Sequence, residues 1–161
     1  MRFCLVFLLL VVAYTAVFST PWVERYVHAP MSRLVALVSA PILSLFGQVT
    51  VSGTYLEFDG FRAVIVEACN GVLPAYIFLA AVLAFPSSWP EKLRGALLGV
   101  PIISFINVVR VVSIMILGAH NPDVVERIHI DVWQTAVVLL AMGIWIFWAE
   151  RIARPRFEVR R

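Results

Sequence analysis

The sequence predicts an all-α polytopic membrane protein with about four transmembrane helices, an interfacial or re-entrant helix and a small extracytoplasmic β-hairpin. Three observations predict it. Hydrophobic residues make up 61% of the 161 and charged residues only 14%, where a soluble domain carries about 25% charged residues. The apolar residues gather into runs of membrane-spanning length. The charges between those runs segregate by sign from one loop to the next. No polar block is long enough for a second unit, so one membrane-embedded domain over 1–161 is expected.

Residues 3–19 (FCLVFLLLVVAYTAVFS) carry no charge and nearly span a hydrocarbon core of about 30 Å. A cleaved signal would need an A-x-A-like site, and Val17-Phe18-Ser19 is not one, so a retained helix is the reading. Residues 34–46 (LVALVSAPILSLF) are apolar but short and contain Pro41, which predicts an interfacial or re-entrant segment. Residues 48–67 turn β-branched and aromatic, with Asp59-Gly60 between TYLEF and FRAVIV, a two-residue hairpin signal. Ser52-Gly53 is placed to turn the earlier QVTV into the same ribbon. Such a ribbon belongs above the membrane, because exposed strand edges do not lie in lipid. Further spans are predicted over 70–86, 95–117 and 131–149.

The charges orient this set. Loop 87–94 carries Lys92 and Arg94 against Glu91, and the tail carries Arg151, Arg154, Arg156, Arg160 and Arg161 against Glu158. By the positive-inside rule both are cytoplasmic. The opposite side receives Glu57, Asp59, Glu67, Asp123 and Glu126 against Arg62 and Arg127. This requires the N-terminus inside and 34–46 not to cross. The net charge of +3 is therefore topology, and no nucleic-acid partner is expected. The two cysteines, Cys4 and Cys69, form no disulfide framework and no metal-ligand spacing, so neither a metal nor a cofactor is expected. A haem or metal protein would usually hold paired histidines within its spans; His28, His120 and His129 all flank them.

Three side chains stand out. Arg110 lies inside a span, where a guanidinium is costly and normally faces protein or water. It sits ~10 Å below the helix's outer end, and Asn107 shares its face. The bland alternative, snorkelling, would have to climb two turns. Cys69 alone would ordinarily be an inert small hydrophobe. Here it interrupts the apolar pattern in Glu67-Ala68-Cys69-Asn70-Gly71, at the predicted start of a helix, where dipole and free amides favour a thiolate. His129 abuts the span that follows it; His120 is the runner-up, and His28 has no chemical company in the sequence. Each is unremarkable by itself as a loop histidine. Together a thiol, an imidazole and a guanidinium are predicted to meet at one interface. Imidazole takes the thiol proton, the fixed cation stabilises thiolate or oxyanion, and acyl transfer through a thioester follows. Asp131 and Gln134 are near enough in sequence to orient the imidazole.

Glu67-Ala68-Cys69-Asn70-Gly71 resembles the EACSG motif of the exosortase/archaeosortase family, and Asn107-Val108-Val109-Arg110 resembles that family's N-x-x-R motif. His129 matches the position of the family's third essential residue. The resemblance covers roughly 34–149, and the combination is far more specific than any one motif. It implies a multi-pass cysteine transpeptidase or protease of the inner membrane with Cys69, Arg110 and His129 catalytic, facing the periplasm. Asn107, Glu67 and Asn70 would support them. Implied partners are the bilayer and secreted proteins ending in a short motif, a transmembrane helix and a basic cluster. The length resembles that of short members such as the exosortase H type. Asn70 departs from the usual Ser, and the additional N-terminal helices of longer members have no counterpart here. Two other classes stay open on the residues alone: a non-enzymatic membrane assembly factor, for which Cys69→Ala is silent, and a small transporter or channel subunit with Arg110 on an anion path.

Overall fold

The computed structural model describes residues 2–18, 20–125 and 128–153. The basic tail beyond Ala153 and the charges at Glu126 and Arg127 lie outside the described residues. Among the described residues, five helices of more than ten residues and one sheet form the framework. Helix α1 is Arg2–Phe18 and α2 is Pro21–Leu43, with a π-helical turn over Glu24–His28. Strands β1 (Val49–Ser52), β2 (Tyr55–Phe58) and β3 (Phe61–Val64) follow. Then come α3 (Val72–Ala84), α4 (Trp89–His120) and α5 (Thr135–Arg151), the last entered through a π-helical segment, Ile128–Gln134.

Large apolar side chains such as Leu8, Leu9, Leu97, Phe105, Leu139 and Phe147 are more than half exposed, whereas Asn107 and Arg110 are buried at 1% and 3%. A helix that turns its polar face inward and its apolar face outward is built for lipid. Three helices are long and apolar enough to cross a membrane: Pro21–Leu43, Trp89–His120 and Val132–Arg151. Helices α1 and α3 are apolar but shorter, at 17 and 13 residues.

The 34–46 segment is accordingly not the separate short helix expected from its composition. Its residues 34–43 are the second half of a 23-residue helix, and 44–46 turn the chain toward the sheet. Glu24, Arg25 and Arg33 break the apolar run in the sequence, yet helical spacing keeps the inward stripe of His28, Ser32, Val35, Ala36, Ser39 and Leu43 continuous. The predicted hairpin is a three-stranded antiparallel meander in the order β1-β2-β3. Asp59 and Gly60 turn β2 into β3 with φ of 44° and 86°, the left-handed pair of a two-residue turn. Asp59 also fastens the sheet's start, its carboxylate accepting from the Gln48 N–H at 2.8 Å.

The sheet buries Leu56, Phe58 and Ile65 against Val35, Ala36 and Leu43 of α2 and Val108–Met115 of α4. A second cluster, at the opposite end of α4, joins Phe78 and Val82 of α3 to Ile103 and Trp148. Backbones approach closely there: a Cβ on Gly99 would meet the Phe78 ring, and one on Gly95 the Trp148 indole. Small residues permit such helix contacts in membranes. Helix α1 runs antiparallel to α3. Phe3 meets Phe85 and Trp145, Phe18 meets Tyr76 and His28, and the Tyr76 hydroxyl donates to the Leu10 carbonyl at 2.7 Å. Ser88 and Glu91 close a capping box at the start of α4, satisfying amides that would otherwise be unpaired.

Candidate active site

After β3 the chain tightens into a 3-10 turn, Glu67–Cys69, held by the Cys69 N–H donating to the Val66 carbonyl at 2.9 Å. Gly71 then takes φ of 78°, a left-handed conformation that glycine adopts without penalty. It also lets the loop lie on α4, since a Cβ there would stand 2.9 Å from Asn107 Cγ. Asn70 is 2% exposed. Its Oδ1 accepts the Val72 N–H at 3.0 Å, capping an orphan amide at the start of α3. Cys69 therefore sits in the turn before α3, not on its first helical turn.

Helix α4 supplies two side chains one turn apart. Asn107 Nδ2 donates to the Cys69 carbonyl at 2.9 Å. Arg110 reaches the Ala68 carbonyl from Nη1 at 3.5 Å and His129 Nε2 from Nη2 at 2.9 Å. His129 comes from the π-helical segment ahead of α5. Its Nε2 lies 3.1 Å from Cys69 Sγ. The three expected residues thus meet, from three separate elements, around one imidazole nitrogen. Glu67, named as a supporting residue, turns away from this group: its side chain is 64% exposed and its carboxylate lies 3.8 Å from His28 Nε2.

The proton arrangement follows from donors and acceptors. A guanidinium only donates, so Nε2 of His129 accepts from Arg110 and the ring hydrogen is on Nδ1. The thiol shares that same acceptor. Burial pushes the Cys69 thiol above its ordinary value, with the Arg110 charge and a backbone hydrogen bond at Val66 opposing but not reversing it. Burial, then the Arg110 charge, hold the His129 imidazole below its ordinary value. The resting pair is neutral thiol and neutral imidazole. The helix start expected to favour a thiolate is not directly at Cys69, because α3 begins at Val72, three residues on.

His120, the alternative base, is exposed and donates from Nδ1 to its own helix at the Ile116 carbonyl, 2.8 Å away. The side chain of Asp131 lies outside the described residues. Gln134 lies with Arg110 and Ala68 in the wall of an apolar groove of about 390 Å³. That groove runs between α1, α3 and α5 toward Phe3 and Trp145 at the far end.

His28 was expected to stand alone and does not. It is buried at 3%, with Nδ1 placed 3.1 Å from Asn70 Nδ2. Its signal in the sequence is the i, i+4, i+8 alignment with Ser32 and Ala36 on one face of α2. Among the described residues, Glu24, His28 and Glu67 form the one group whose ligand atoms converge closely enough for a cation, all within 4.8 Å. His28 does not offer Nε2 as a ligand. Because Asn70 Oδ1 is committed to the Val72 amide, Nδ2 donates to His28 Nδ1, and the ring hydrogen then occupies Nε2.

Compared with known proteins, the sequence matches the family model described as transmembrane exosortase over residues 1–149. No curated protein and no solved structure matches the chain.

Proposed function

The chain belongs to the transmembrane exosortase family, and from that premise we propose that it is a membrane-embedded cysteine transpeptidase or protease. It acts on the C-terminal sorting signals of secreted proteins: a short motif, a transmembrane helix and a basic tail. The observation that carries this reading is the contact of Cys69 Sγ and Arg110 Nη2 with one His129 nitrogen, at 3.1 and 2.9 Å.

His129 Nε2 takes the thiol proton as sulfur attacks the scissile carbonyl carbon. The transfer puts a hydrogen on Nε2, so Arg110 Nη2 loses its acceptor there and is free to donate to the oxyanion. On collapse His129 returns the proton to the leaving amine, and the acyl group remains on Cys69 as a thioester. Water or an amine, deprotonated by His129, attacks that thioester; the C–S bond breaks and the thiol is restored. Asn107 holds the Cys69 carbonyl, and Asn70 holds the turn. The apolar groove supports the choice of substrate, because it begins beside Ala68 and Arg110 and continues along α5, giving an apolar segment a place next to the thiol.

The site faces the periplasm of the inner membrane in this proposal. Lys92 and Arg94 mark the opposite end as cytoplasmic. Helices α1, α3, α4 and α5 cross, whereas α2 and the sheet form an outer cap. Supporting this arrangement, α2 begins beside Glu67 and Ala68 and ends against the sheet. Both its ends are thus attached to the same half of the molecule.

Co-expression with a tagged secreted protein bearing such a C-terminal signal tests the activity. Wild type is expected to process it, while Cys69→Ser and Arg110→Ala insert normally and leave it intact. Undiminished processing by Cys69→Ser would overturn the reading.

A further inference from the structure

We infer that His28 is a positioning residue for the nucleophile turn, acting through Asn70; the inference rests on the reading of Cys69 as nucleophile. Three features carry it. His28 is 3% exposed and faces the turn from α2, an element that contributes no residue to the thiol–imidazole–guanidinium group. Its Nδ1 accepts from Asn70 Nδ2 at 3.1 Å, with the His28 carbonyl and Ser32 Oγ each a further 3.4 Å partner of the same amide nitrogen. The other end of that amide caps Val72 at 3.0 Å. Asn70 is thereby held at both ends, one on α2 and one on α3, and Cys69 is the residue immediately before it.

The consequence is positional. The 3-10 turn is short, and its amides at Cys69 and Asn70 bond only within it, at 2.9 and 3.4 Å. The bridge from α2 through Asn70 is what fixes it laterally, while Asn107 fixes it from α4. Without the His28 acceptor the Asn70 side chain loses its shortest α2 bond, at 3.1 Å, and keeps only the two 3.4 Å partners there. The turn then loosens, and Cys69 Sγ moves away from His129 and toward water. Leu73 and Ala68 line the cavity beside His28 as well as the apolar groove, so the movement has room to occur.

The test uses the full chain in lipid nanodiscs, in a Cys4→Ser background, with iodoacetamide as the probe of Cys69. His28→Phe keeps bulk and the edge contact with Phe18 but removes the acceptor. His28→Asn keeps an acceptor near the Nδ1 position. Asn70→Ala removes the donor to His28 together with the cap on Val72. Alkylation of Cys69 at pH 8 is expected to speed up by about fivefold in His28→Phe and by at least as much in Asn70→Ala, as the buried thiol gains water. His28→Asn is expected to stay near the wild-type rate. Adding His28→Phe to Asn70→Ala should produce no further change, since the bond between the two side chains is already broken. Where cleavage is measured, kcat falls and KM does not. A wild-type alkylation rate in Asn70→Ala, an equal effect of His28→Asn and His28→Phe, or additivity in the double variant would each overturn the assignment. Should His28→Phe fail to fold, Asn70→Ala and His28→Asn decide it. Alkylation needs no substrate, so this result stands apart from whether the chain cleaves peptides.

Discussion

At the scale of single residues, the arrangement turns on one lone pair. His129 Nε2 accepts from Arg110 and faces the Cys69 sulfur. Burial keeps the thiol protonated and the imidazole neutral. The sign of the pH dependence follows. With the thiol raised by burial, thiolate accumulates only in alkaline solution, so alkylation of Cys69 is expected to titrate at higher pH than an ordinary exposed thiol. A preformed thiolate–imidazolium pair would instead react at a constant rate down to acid pH. With the imidazole lowered by burial and by the Arg110 charge, catalysis is lost only once His129 is protonated, so the acid limb of kcat/KM lies at lower pH than an ordinary imidazole would place it. Arg110→Lys keeps the charge but loses the fork that reaches Ala68 and His129 together. A loss of about 10²-fold in kcat is expected, in the range found when one oxyanion donor is removed. The residue types and their order were legible in the sequence, because buried charge and an interrupted apolar pattern are local signals. The protonation state was not. It depends on how much water the folded turn excludes, and no spacing reports that.

At the scale of elements, the tight approach of the nucleophile turn to α4 does the positioning. Gly71 combines φ of 78° with a Cβ position 2.9 Å from Asn107 Cγ. Gly71→Ala is therefore strained twice, by about 1–2 kcal/mol for the left-handed backbone alone, and by displacement of the Asn107 side chain that holds Cys69. Membrane insertion is expected to be retained and activity lost by at least about tenfold, read as cleavage at matched protein levels. The glycine stands in the sequence beside the thiol, but its purpose is visible only once α4 lies against it. Helix α2 shows the converse. Glu24, Arg25 and Arg33 interrupt it along the chain, and a count of consecutive apolar residues shortens it. Its inward face obeys helical periodicity throughout, and that periodicity carried His28 to Asn70.

At the scale of the whole molecule, the two buried clusters divide the chain into a cap and a bundle. The cap joins the sheet to α2 and the upper part of α4. The bundle joins α3 and α5 to the lower part of α4, and the candidate site lies where they meet. Three helices reach spanning length by composition, α2 among them, so length alone does not orient the chain. The proposed topology keeps α2 outside. Leu45, 79% exposed between α2 and β1, should be periplasmic, and Trp89, 75% exposed at the start of α4, cytoplasmic. Single cysteines at these positions, in a background without native thiols, are expected to react with a membrane-impermeant maleimide in spheroplasts only at 45. Labelling at 89 but not at 45 would contradict the topology, and labelling at neither would mean that α3 does not cross. A third cysteine at Trp22, 65% exposed at the start of α2, should label together with 45, and labelling at 45 but not at 22 would make α2 a crossing helix. Charge asymmetry was readable from the loops in advance, while the antiparallel pairing of α1 with α3 needed the aromatic contacts between Phe3, Phe18 and their partners.

All of this converges on the fate of one sulfur atom. The most direct measurement is intact mass spectrometry of the enzyme recovered from cells co-expressing a tagged substrate, before and after hydroxylamine. Acyl transfer through Cys69 requires a substrate-sized adduct on that residue, released by hydroxylamine and missing in Cys69→Ala. Substrate cleaved at the wild-type rate by Cys69→Ala, with no adduct on any residue of the wild type, would contradict it.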